Sequence, residues 1–261
     1  AAAMLSPAAS AQPAGLPPQL EDVGIDQRLG ETLPLDAALR DEQGREVRLG
    51  DFFGEDPVLL VFAYYRCPML CTLVLNGVVR AARALEFEAG REYRIVTISI
   101  DPSETPDLAR AKKEETVRAY GRSGAAAGWS FLTGDAEAVR AVTAAAGFRY
   151  ARDEQTGEWA HASGIILATP EGRLSHYFYG VEYAPRDLRL GLVEASRRAI
   201  GDTVDTLLLF CFHYDPATGK YGLAILSLLR AAGAATALGL AGFIALMLRR
   251  ERRAVPAGGR A

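Results

Sequence analysis

The 261-residue chain carries a formal net charge of −3, with 29 Lys+Arg against 32 Asp+Glu. That balance, without any basic stripe interleaved with aromatics, excludes nucleic-acid binding as its purpose. The chain is long enough for one domain of about 150–180 residues plus appendages. Its three cysteines and three histidines limit any soft-donor site to a small one.

Residues 1–33 begin "AAAMLSPAASAQPAGLPPQ", small, apolar and proline-rich, with Ala9-Ser10-Ala11 ahead of Gln12 in the form of a cleavage site. They read as a secretory-signal remnant or unstructured leader. Residues 34–200 carry the periodic elements. "PLDAALRDEQGREVRLGDFF" gives two short strands around a turn at Glu42 to Gly44. Pro57 to Tyr65 is a continuous apolar run suited to a fully buried strand. Helical spacing follows from Thr72 to Glu88, then a second buried strand from Arg94 to Asp101. Thr105 is placed to cap a helix that starts at Pro106 and reaches Tyr120.

"WSFLT" is a short strand. Asp135 caps a helix that Gly147 ends in a left-handed conformation. Ala162 to Gly180 supplies two strands around a turn at Pro170 to Gly172, and a helix runs from Pro185 to about Ala199. This order predicts an α/β sandwich, a central mixed sheet flanked by helices.

Residues 201–222 form a connector. Within 223–248, the stretch Ala231 to Leu248 is uncharged, and Arg249, Arg250, Arg252 and Arg253 follow at once. Eighteen residues at about 1.5 Å each reach about 27 Å, enough for a transmembrane helix. The arginines put the tail, 249–261, on the cytoplasmic side. The globular part is then expected outside the cytoplasm, where disulfides are permitted.

Cys67 and Cys71 bracket "PML" at the junction of the first buried strand and its helix. Unpaired N–H groups at a helix N-terminus favour thiolates, and open α/β sheets hold ligands at these strand ends. Helix positions four apart have Cβ atoms about 5–6 Å apart, wider than the roughly 3.5–4.5 Å of a relaxed disulfide. A metal ion bridges the wider gap, and thiolates select Cu(I), zinc or iron–sulfur clusters. Metal binding, thiol redox chemistry and a structural disulfide all remain open on spacing alone. Of the three histidines, His176 sits mid-strand and suits packing. His161, in "EWAHASGIIL", lies at a loop-to-strand corner, as a projecting ligand or a surface residue.

"LLVFAYYRCPMLCTLVLNGV", "VTISIDPSETPD" and "HASGIILATPEGRLSHYFYG" together resemble the Sco/SenC/PrrC family of copper-binding, thioredoxin-fold proteins that assemble cytochrome c oxidase. The resemblance covers Pro34 to Ala199. It implies a thioredoxin-like fold and copper, as Cu(I) or Cu(II), held by Cys67, Cys71 and His161. It places Asp101 near the metal or at a partner contact. Met69 is a soft thioether or an apolar cover. Cys211 and His213, in "CFHYDP", are auxiliary ligands, partner contacts or connector packing. The sequence departs from the family pattern at Arg66, Thr72 and Ala160, and Arg66 adds positive charge beside the sulfurs.

The function implied is a copper chaperone rather than an enzyme. It would sit on a bacterial inner membrane with its domain in the periplasm and deliver copper to the copper domain of cytochrome c oxidase subunit II. Other copper chaperones or thioredoxin-like reductants are further expected partners. The rival is a thiol–disulfide oxidoreductase that keeps the recipient's cysteines reduced. A peroxidase fits poorly, because T-x-x-C is absent.

Overall fold

The computed structural model describes residues 22–67, 70–154 and 156–201, with isolated positions beyond. The chain divides into two compact units, Ala1–Gly201 and Asp202–Ala261. In the second, the described elements include a two-stranded antiparallel pair, Tyr214–Asp215 with Lys220–Tyr221. Among the described residues no helix is long and apolar enough to cross a membrane. The run 223–248 lies almost wholly outside them, as do Met69, Cys211 and His213.

In the first unit, β4 (Val58–Ala63), β5 (Arg94–Ser99) and β6 (Trp129–Leu132) run parallel. β9 (Gly164–Ala168) joins antiparallel to β4, and β10 (Leu174–Tyr179) antiparallel to β9, giving the order β10-β9-β4-β5-β6. Continuous apolar strands are what a sheet covered on both faces requires, and alternation sorts their side chains. Leu59, Val61, Ile95, Ile165 and Leu167 point to one core. There they meet α1 (Leu70–Ala84), α2 (Pro106–Tyr120) and α5 (Pro185–Ser196). Leu60, Phe62, Val96, Ile98 and Ile166 point to the other. That face is covered by α4 (Ala136–Ala145), after the short α3 (Ala125–Gly128), and by the hairpin β2 (Ala38–Arg40)–β3 (Glu46–Arg48).

A separate three-stranded antiparallel sheet links β1 (Gly24–Ile25), β7 (Phe148–Arg152) and β8 (Trp159–His161). It is not anticipated by the sequence reading, because "FRYARDEQTGEWAH" mixes charge into both strands and hides the alternation. Asp135 caps α4 through Glu137 and Ala138 N–H, and Gly147 has φ +67, both as expected. Thr105 has the extended backbone of a cap but makes no side-chain capping bond. Helix α1 ends at Ala84 rather than Glu88, and α5 at Ser196 rather than Ala199. Gly90 has φ +95 just beyond the first of these ends.

Gly77 lets α1 lie against the backbone of the loop before α5. A Cβ there would stand 2.0 Å from Val181 O and 3.2 Å from Tyr183 Cε2. Gly77→Ala should therefore lower stability despite alanine's better helix propensity, by about 1–3 kcal/mol in chemical denaturation.

Candidate metal centre

Cys67 follows β4 and Cys71 occupies the first turn of α1. Both face the second core with Phe62 and Phe148, away from most of the helix's buried residues. The turn leading to them accounts for every N–H. Tyr64 N–H reaches Cys71 Sγ at 3.4 Å, Tyr65 N–H and Arg66 N–H reach Glu104, and Cys67 N–H bonds Tyr64 O at 3.2 Å. Cys71 N–H in turn donates to Cys67 Sγ at 3.4 Å. Neither cysteine is in a disulfide, and the two are 8% and 2% exposed.

His161 closes the group. Residue 161 pairs with Tyr150 across β7 and β8, which brings the imidazole edge-on to Tyr64, the residue just after β4. Its Nε2 lies 3.0 Å from Cys71 Sγ, although ninety positions separate the two in sequence. Nδ1 lies 2.9 Å from Ala162 O. A carbonyl only accepts, so Nδ1 carries the proton and Nε2 presents its lone pair to the sulfur. This is how metal-binding histidines are oriented, by a backbone carbonyl on the far nitrogen. At 7% exposure His161 is no surface-loop residue. Phe148 and Tyr64 flank its ring at centroid distances of 6.0 and 6.1 Å.

The expectation that the helix terminus would favour a Cys71 thiolate is overturned. Burial pushes this thiol well above its ordinary 9.0, and the nearby Cys67 and Glu104 charges push the same way against the Tyr64 N–H. Desolvation of an anion outweighs one helix end. Cys71 is a neutral thiol, hydrogen-bonded with Cys67 on one side and with Nε2 on the other. Burial likewise holds His161 below 6.5, against the Ala162 bond. Tyr64 is raised by burial and by its side-chain bond to Cys67.

The donors therefore form a chain, Cys67 to Cys71 to His161. Among the described residues no three His, Cys, Asp or Glu side chains stand together closely enough to hold a metal ion as they are placed. Two sulfurs and a neutral imidazole suit a soft, low-coordinate cation such as Cu(I). Asp101 holds Ser103 N–H through Oδ1 at 2.9 Å and is half-buried in its own turn. His176 bonds Glu194 and Ser175 in a packing role, as its mid-strand position suggested. Tyr64 and Glu104 escaped the sequence reading. Glu104 is visible only as one polar residue in a turn where Thr105 draws the capping assignment and Asp101 the one near the metal.

The SCO1/SenC family profile matches residues 30–190, well over half of the chain. The chain belongs to the SCO1/SenC family. Protein SCO2 homolog, mitochondrial, of Bos taurus is 29% identical over 150 residues, 55% of this chain and 52% of its own. The chain thus spans about half the length of that curated relative. ScoI of Arabidopsis thaliana, solved with copper bound, aligns with a TM-score of 0.50 at 22% identity, over 62% of this chain and 96% of its own. BsSco, reported with a disulfide switch as a member of the Sco family of cytochrome c oxidase assembly proteins, gives 0.51 at 20% identity. That alignment covers 65% of this chain and 96% of BsSco. These likenesses are of fold, and they bear out the SCO1/SenC chain as the α/β sandwich with a central mixed sheet.

In the reduced, metal-free protein, His161 should stay neutral at pH values where an ordinary histidine is charged. Nitrogen-detected NMR should show the Nδ1–H tautomer. Its folded pKa lies below 6.5, so on acidification the unfolded chain takes up the proton first. This contribution to stability is complete above about pH 6.5 and declines as pH falls towards the folded value. His161→Gln should flatten that part of the decline when denaturation is compared at about pH 7.5 and 5.5.

Proposed function

We propose that this SCO1/SenC protein is a membrane-tethered copper chaperone that carries Cu(I) between Cys67, Cys71 and His161. It would deliver the ion to the copper domain of cytochrome c oxidase subunit II. The observation that carries this is the Cys71 Sγ to His161 Nε2 contact at 3.0 Å, with the tautomer fixed by Ala162. A structural histidine would not need its lone pair aimed at a thiol. The copper-bound relative and the family membership support the same cargo.

The buried thiols make loading a proton exchange. Cu(I) replaces the S–H protons of Cys67 and Cys71, two protons leave, and Nε2 turns from hydrogen-bond acceptor to ligand. Three donors leave one position open, through which a recipient's ligands enter before this chain's leave. Tyr64 and Phe148 keep water from the sulfurs until then. Supporting the tether are the uncharged run Ala231 to Leu248 and the arginines after it, which would leave the domain on the periplasmic side.

Thiol–disulfide exchange with the recipient is the second reading, favoured by the direct hydrogen bond between Cys67 and Cys71. The two readings separate at His161. Competition with a chromophoric Cu(I) chelator should show Cys67→Ser, Cys71→Ser and His161→Ala each weakening binding by about tenfold or more. Retained Cu(I) affinity in either cysteine variant would refute the chaperone. Full activity of His161→Ala in oxidase assembly, despite lost copper, would favour the reductase.

A further inference from the structure

Glu104 is the least expected group near the sulfurs. Its side chain belongs to the loop after β5, yet it reaches the neighbouring loop after β4. Oε2 accepts from Tyr65 N–H at 2.7 Å and from Ser99 Oγ at 2.7 Å, and Oε1 accepts from Arg66 N–H at 2.8 Å. Ser99 Oγ has one hydrogen, and Asp101 O is further away at 3.2 Å, so the hydroxyl proton goes to Glu104. Residue 104 is only 5% exposed. Three donors converging on one buried carboxylate satisfy it almost completely, and a buried carboxylate is rarely kept without such partners.

A turn's N–H groups are ordinarily met by neighbouring carbonyls or water. Here both oxygens of one carboxylate clamp two consecutive N–H groups directly before Cys67, and the next N–H, of Cys67, folds back to Tyr64 O. The clamp thus fixes where Cys67 begins and how Tyr64 N–H and side chain face the two sulfurs.

We propose that Glu104 is a positioning residue for the sulfur pair: by clamping Tyr65 and Arg66 it holds Cys67 and Cys71 as two hydrogen-bonded thiols at a spacing that suits a bridging cation rather than a disulfide. Its negative charge, held close to the thiols but outside the ligand chain, also favours a bound cation over empty sulfurs. The inference rests on the copper reading for its first consequence and is independent of it for its second. Release of the clamp lets the sulfurs close. In glutathione buffer the two thiols then pass to a disulfide while one oxidised glutathione is reduced to two molecules of glutathione.

The experiment compares Glu104→Gln with Glu42→Gln in the full chain. Gln keeps one acceptor but turns an NH₂ towards a second N–H. Glu42 is an equally buried carboxylate, paired with Lys113 at 2.5 Å and with Phe131 N–H; its charge is felt at the Tyr65 hydroxyl, but unlike Glu104 it accepts from none of the N–H groups of the Tyr64–Cys67 turn. Both variants should lose thermal stability. Only Glu104→Gln should weaken Cu(I) binding, by about tenfold or more, and raise the disulfide-to-dithiol ratio of Cys67 and Cys71 about threefold or more in a fixed glutathione buffer. Ser99→Ala, which removes one donor, should shift both in the same direction by less, and it decides the matter if Glu104→Gln does not fold. Unchanged affinity and unchanged ratio, or equal changes in Glu42→Gln, would overturn the proposal. If the wild-type chain binds no Cu(I), the chaperone reading falls, and the thiol ratio alone still decides for or against Glu104.

Discussion

The contact between Cys71 Sγ and His161 Nε2, 3.0 Å long, depends on more of the molecule than any other in the site. It requires β4 to end where it does, α1 to begin with its second residue facing the β7 side, and β7 to pair with β8 in one register. A slip of one residue in that pairing would turn residue 161 to the opposite face of the ribbon. The Ala162 carbonyl then decides which nitrogen meets the sulfur. Backbone geometry, rather than any charge, chooses the tautomer.

Electrostatics works against the simple picture of an activated thiolate. Helix α1 offers its N-terminus to Cys71, but the apolar wall of Phe62, Phe148 and Ile98 removes the solvent that would stabilise an anion. The outcome is a Cys71 thiol held protonated between Cys67 and His161, so that a cation binding it must displace its proton. A protonated thiol is slow to attack a disulfide, because only the thiolate is the nucleophile.

Much of this was legible in the chain. The apolar runs at Val58–Ala63 and Arg94–Ser99, the capping Asp135 and the turning Gly147 declared the sandwich by local chemistry, and the resemblance named Cys67, Cys71 and His161 together. Spacing alone left His161 undecided, because convergence across ninety residues depends on a sheet whose strands alternate weakly. Glu104 was illegible for a related reason. Its role lies in a hydrogen bond to the backbone of another loop, and backbone partners leave no mark on the partner's residue types: Tyr65 and Arg66 donate with atoms that every residue but proline possesses. Cys71's protonation was misjudged because helix ends are visible in sequence, whereas desolvation is a property of the packed whole.

The two kinds of donor stand on different sheets: the thiols at the end of the five-stranded one, the imidazole on the three-stranded ribbon of β1, β7 and β8. An ion ligated by both would be a cross-brace between these two parts of the architecture, at the place where the Cys71–His161 hydrogen bond already joins them. A ligand that binds the native state alone adds its binding energy to the fold, so an ion held by both sheets would stiffen the ribbon, and its loss would slacken it. On the proposed carrier reading, a recipient could tell a full molecule from a spent one by rigidity, without touching the metal at all.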